Sequence, residues 1–187
     1  MGRREFAPCP SRRAAFGEVM PLRSILTLFS DLPNQVEDFS PGSKAVLHTI
    51  GQAKIAPIIC FELIDDRMIQ SSAGQSNLFA VQTNSATFAN TAESAQQLAI
   101  TRIRSIEHAR YSVSVSTVGI SAIIDTNGVV LKSTKENIAA SIQSSVALNA
   151  TRTTYDRIGE FAWALVTLIG LGFGALLSLA DRIVKRR

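Results

Sequence analysis

The chain has 187 residues, 46% hydrophobic and 18% charged, which is enough for one ordinary globular domain and excludes a disordered chain. Most of the net charge of +4 comes from the tail "DRIVKRR", and no basic stripe interleaved with aromatics runs through the rest, so nucleic acid is not an expected partner. Two cysteines (Cys9, Cys60) and two distant histidines (His48, His108) make neither a disulfide framework nor a metal-ligand cluster.

In chain order, residues 1–22 look irregular, with Pro8, Pro10 and Pro21. The start "MGRREFAPCP" lacks an apolar core, so it is not a signal peptide. "LRSILTLF" (22–29) suits a short helix, and residues 30–43 form a loop by composition. "KAVLHTI" (44–50) and "KIAPIIC" (54–60), parted by Gly51-Gln52-Ala53, predict a hairpin. Pro57 places the second strand at an edge or bulge. A third strand is expected over 76–83 and a polar loop over 84–94.

Residues 94–109 predict a helix whose apolar stripe is Ala95, Ala99, Ile103 and Ile106, with Arg102, Glu107 and Arg110 off it. Asn90 and Glu93 suit a cap at its entry. Then come a strand over 111–119, and a hairpin over 120–132 turning at Asn127-Gly128. A last strand is expected over 140–148. The pattern indicates an α/β (α+β) sheet layer. Residues 161–180 carry no charge and are long enough to cross a bilayer as one helix. Trp163 suits the outer interface, and the basic residues of 181–187 place the C-terminus in the cytoplasm. Gly170 and Gly174 would allow close helix packing.

Cys60 ends an apolar run. Two readings of it stand: a buried small apolar side chain, or a nucleophile at a strand end needing a base or cation nearby. Glu62 would share its face on a continuing strand, or be a surface carboxylate. Glu18, in "AAFGEVMPLRS", reads locally as loop charge. His48 and His108 read as ordinary satisfied or exposed imidazoles. The "TNSATF" loop could shape a substrate mouth or merely connect two elements.

Taken together, "IICFE", "QTNSATFANTAESAQQLAITRIRSIEHAR" and "STVGISAIIDTNGVVL" resemble the nitrilase-like domain of apolipoprotein N-acyltransferases, over about residues 14–187. "AAFGEVMPLRS" resembles that family's Pro-Phe-Gly-Glu segment, with Ala15 in place of proline. The resemblance implies an αββα sandwich outside the cytoplasmic membrane and a Glu–Lys–Cys triad. It implies transfer of an acyl chain from a phospholipid to the N-terminal cysteine amine of a diacylated lipoprotein, without a cofactor or metal. Cys60 matches the nucleophile that forms the thioester. Glu62 and Glu18 match two supporting carboxylates, and Phe61 stands where the family often has tyrosine.

Pro10 stands at the triad lysine position, Arg12 and Arg13 do not match it, and no position matches the triad glutamate. The expected organisation is an unmatched segment 1–13, a partial nitrilase-like domain 14–150, a linker 151–160, a membrane helix 161–180 and a basic cytoplasmic tail 181–187. The sandwich is then truncated at its N-terminus, as in a C-terminal fragment inactive by itself. The alternatives are a membrane-anchored nitrilase-like module without catalysis, and a soluble carbon–nitrogen hydrolase acting on amides.

Overall fold

The computed structural model describes Thr27, residues 46–159 and residues 161–184. The expectations for residues 1–45 therefore lie outside the described residues, Thr27 apart. These are the 22–29 helix, the 30–43 loop, Cys9, Pro10 and Glu18.

Six strands form one mixed sheet in sequence order: β1 (His48–Ile50), β2 (Ala53–Ile59), β3 (Leu78–Thr83), β4 (Tyr111–Ser116), β5 (Ala122–Ile124) and β6 (Val130–Ser133). β2, β3 and β4 run parallel, and the flanking strands pair antiparallel. Parallel neighbours need crossovers, which two helices supply. α1 (Asp66–Ala73) joins β2 to β3, and α2 (Glu93–His108) joins β3 to β4. The expected first hairpin is present, turning at Gly51 (φ +57°). Pro57 lies in β2 beyond the last β1 pair at Ile55, so its missing N–H faces no demand from β1.

Strand alternation sends Ala56 and Ile58 of β2, and Phe79 and Val81 of β3, to one face. There they form the core with Leu63, Ile69 and Ala73. The opposite face holds Ile59 (56% exposed) and Val115 (54% exposed). Of the four layers expected for the sandwich, the described residues supply one helix layer on one sheet.

Several expectations need correction. α2 is present, but its apolar stripe faces outward: Ala95, Ala99, Ile103 and Ile106 are all exposed. Its buried face is Ser94, Thr101, Arg104, Ser105 and His108. Each of these residues makes at least one polar contact. Ser94 Oγ accepts from Ile120 N at 2.7 Å, Thr101 Oγ1 donates to Gln97 O at 2.8 Å, and Ser105 Oγ meets Ser112 Oγ at 2.7 Å. Hydrogen bonds rather than apolar area thus set the rotation of this helix. Its entry is also different: Ala92 is the cap residue without a side-chain bond, and Thr91 Oγ1 accepts from Glu93 N at 3.3 Å. Residues 140–148 form no strand, because their backbone finds no ladder; Lys132 Nζ donating to Gln143 O holds the segment to β6.

The second hairpin turns as expected at Asn127-Gly128, where Gly128 has φ +73°. A Cβ at Gly128 would lie 2.7 Å from Ile106 Cδ1 and 3.1 Å from Arg102 O. Gly128→Ala is therefore expected to lower stability by about 1–2 kcal/mol, from the left-handed backbone and the close approach together, as read from the urea midpoint.

Near the C-terminus, a short helix α3 (Thr154–Ile158) precedes α4 (Phe161–Val184). α4 covers the segment expected to span a bilayer. Its described apolar side chains, among them Leu168, Leu171 and Leu176, are exposed. Among the described residues, however, no helix is long and apolar enough to cross a membrane. The single span is thus not established.

Candidate active site

β2, β3 and β4 end together: Ile59 pairs with Gln82, Gln82 with Val115, and Thr83 with Ser116. Loops leaving the carboxyl ends of parallel strands are where open α/β sheets place their ligands. Cys60 is the first residue beyond β2 on this rim, and its thiol is half-buried. It has φ +47°, uncommon for a residue with a side chain, and opens a three-ten helical turn, Cys60–Ile64. The strand thus ends at Ile59 rather than at the cysteine.

Glu62 does not continue a strand, as its sharing a face with Cys60 would require. It lies in the turn, and its Oε2 accepts from Ile59 N at 2.7 Å. The carboxylate thereby clasps the backbone just before the thiol. Downstream, Asp65 N donates to Glu62 O at 3.0 Å, and Asp65 Oδ1 caps α1 by accepting from Arg67 N and Met68 N, each at 3.1 Å. Cys60 and Glu62 are thus brought together on one turn, while Glu18 lies outside the described residues.

The neighbouring loops are stapled to one another. Asn84 Oδ1 accepts from Ala86 N at 3.2 Å and from Thr117 Oγ1 at 2.9 Å, and Ser85 Oγ meets Ser116 Oγ at 3.1 Å. The Thr83 hydroxyl oxygen on the same rim is buried without a partner. The "TNSATF" loop is therefore part of the rim.

Neither histidine makes a dyad with Cys60. His48 is exposed on β1 opposite Ile55, about 17 Å of strand from Cys60. His108 is fully buried, with Nδ1 2.5 Å from Asp156 Oδ1. Burial pushes its pKa below the ordinary histidine value, against the pull of Asp156. Among the described residues no group of three or more His, Cys, Asp or Glu side chains could hold a metal ion. A polar cavity of about 410 Å³ lies beside α1, between Arg67, Gln70 and Gly74 and the segment holding Arg152 and Asp156, away from Cys60.

Among the described residues two arginines are buried: Arg104, which the sequence did not single out, and Arg110, which it placed only off the apolar stripe. Arg104 reaches from α2 to the Cys60 turn: its Nε donates to Leu63 O at 2.8 Å, Nη1 to Glu107 Oε2 at 2.7 Å and Nη2 to Asp66 Oδ1 at 2.5 Å. Burial opposes its charge, but Glu107 and Asp66 outweigh this and raise its pKa. Arg110, only 1% exposed, spends its guanidinium on main-chain oxygens. It donates to Ser76 O, His108 O, Thr151 O and Ala73 O at 3.0, 2.7, 2.8 and 2.9 Å. A usable signal was the recurrence of polar residues at helical spacing through 94–108.

The carbon-nitrogen hydrolase family profile matches residues 23–156. The apolipoprotein N-acyltransferase of Mycolicibacterium smegmatis is 32% identical over 92% of this chain and 30% of its own length. That of Geobacter metallireducens is 31% identical over 89% of this chain and 32% of its own length. The chain thus spans about a third of the length of these curated relatives. Among solved structures, Saccharomyces cerevisiae Nit3, of branch 10 of the nitrilase superfamily, aligns at a TM-score of 0.46 and 18% identity, covering 53% of this chain and 40% of that one. The resemblance to apolipoprotein N-acyltransferases read from the motifs is borne out, and the chain belongs to the carbon-nitrogen hydrolase family.

Proposed function

We propose that this chain carries the nucleophile of an apolipoprotein N-acyltransferase, with Cys60 as the residue acylated. The supporting observation is the place of Cys60: one residue past a parallel strand, in a left-handed conformation, with Glu62 clasping the peptide before it. A residue held in such a conformation is over-determined by its surroundings, as nucleophiles at sharp strand-to-helix turns are. The acyl donor is a phospholipid and the acceptor the N-terminal cysteine amine of a diacylated lipoprotein. The thiolate attacks the donor's ester carbonyl, the lysophospholipid alkoxide leaves and takes a proton, and the thioester then passes its acyl group to the amine.

Pro10 stands where the lysine of the resembling enzymes is expected, and Glu18 is the second supporting carboxylate. These 187 residues alone are expected not to turn over phospholipid. Residues 161–180 anchor the domain on the outer face of the cytoplasmic membrane, with 181–187 inside. This assignment rests on their uncharged sequence and the basic residues that follow.

The test is intact-mass analysis of the full chain in detergent micelles with a p-nitrophenyl fatty ester at about pH 9, where a thiol ionises without a base. With Cys9 replaced by serine in both proteins, one acyl group is expected where Cys60 is present, and none where Cys60→Ala is added. Equal labelling of both would remove Cys60 from its assigned place. Transfer from the loaded thioester to a diacylated lipopeptide separates an acyltransferase from an amidase, which would yield free fatty acid alone.

A further inference from the structure

We infer that Arg104 is a positioning residue for Cys60, holding the turn that presents the thiol. The inference rests on the reading of Cys60 as the nucleophile. The turn has local braces in the Glu62 clasp on Ile59 N and the Asp65 cap, but both lie within a few residues of the thiol and move with the turn. Arg104 comes from α2, 41 positions away in sequence, and grips the turn from outside through Leu63 O. Its other two arms are pinned by Asp66, the first residue of α1, and Glu107, one turn further along α2. All three contacts use the planar guanidinium fork, which a lysine ammonium does not reproduce. Arg104 and Leu63 are both buried, so the bond between them is shielded from solvent, while the Asp66 side chain that pins the second arm remains 46% exposed.

Holding the turn matters to one kind of chemistry more than another. Attack on a carbonyl needs an aligned sulfur and donors aimed at the developing oxyanion, and small displacements there are costly. Alkylation by iodoacetamide needs an accessible thiolate alone. In the acylation assay a C–S bond forms, the C–O bond to p-nitrophenolate breaks, and the thiol proton passes to buffer.

The experiment compares the full chain with Arg104→Gln and Arg104→Lys in detergent micelles, all three carrying Cys9→Ser so that Cys60 is the thiol read. Arg104→Gln is expected to slow single-turnover nitrophenolate release by roughly 10- to 100-fold while leaving iodoacetamide alkylation within about twofold. Amide exchange over residues 61–65 is expected to speed up by about 10-fold or more while β3 keeps its protection. Arg104→Lys stays slow, since it restores charge without the fork. Unchanged exchange in the turn, or equal loss of acylation and alkylation, overturns the inference. So does faster exchange in β3 as well, which marks general destabilisation. If the unmodified chain is not acylated at all, the reading of Cys60 fails, and exchange in the turn still decides whether Arg104 holds it.

Discussion

Arg110→Met is expected to destabilise the domain by about 3–5 kcal/mol, the range for stripping one partner from a buried charged network. Four carbonyls from four places in the chain converge on this one guanidinium: Ala73 at the end of α1, Ser76 before β3, His108 at the end of α2, and Thr151 before α3. Methionine fills much of the volume but donates nothing, leaving the oxygens of Ala73, Ser76 and His108 unpaired in the interior. Lysine offers three donors from one point and satisfies fewer of them, so Arg110→Lys should fall between the two. Urea unfolding followed by far-UV circular dichroism reads all three proteins. A loss below about 1 kcal/mol in Arg110→Met would show that water or backbone shifts replace the clamp.

Acidification is expected to weaken the fold through His108. In the neutral ring, Nδ1–H donates to Asp156, and Nε2 is buried without a partner. Protonation would bury an N–H that nothing accepts. The ring is packed edge-on by Phe79 and Tyr155. Asp156 and Glu107 favour the charged ring and Arg104 opposes it, but burial is the largest influence and the folded pKa is depressed.

The unfolded chain therefore binds the proton more readily than the folded one. The histidine's stabilisation is complete above about pH 6.5, its unfolded value, and is lost as the pH falls through the lower folded value. His108→Gln should flatten this part of the stability profile.

Asp156→Ala removes more than the partner of His108. Oδ2 accepts from Thr153 N at 2.9 Å, while Thr153 Oγ1 accepts from Asp156 N at 3.0 Å and donates to Glu107 O. That capping box starts α3, so the substitution is expected to cost about 2–4 kcal/mol in the same unfolding assay.

These networks show where sequence reading reaches its limit. Periodicity located α2 to within a residue at each end, because a helix declares itself locally. It chose the wrong face because two alanines and two isoleucines compete with a polar stripe whose partners are remote. Arg104 meets Leu63 from 41 positions away, and His108 meets Asp156 from 48. The Asn127-Gly128 turn was legible for the opposite reason, since a tight turn is dictated by its own two residues. Cys60 was legible as a position but not as a conformation. Nothing in "IICFE" announces a left-handed cysteine, or a glutamate turned back onto the strand. Residues 140–148 have the composition of a strand, but a strand also needs a neighbour's free edge.

Among the described residues the sheet has one covered face and one bearing Ile59 and Val115, and once detergent covers α4 this face governs how the protein self-associates. Its lateral edges invite little: β1 has three residues, and β6 has four including Lys132. Precipitation of purified protein should therefore proceed by stacking of broad surfaces rather than by strand addition. A substitution such as Val115→Lys should raise the soluble yield, while a charge added to either edge should do little.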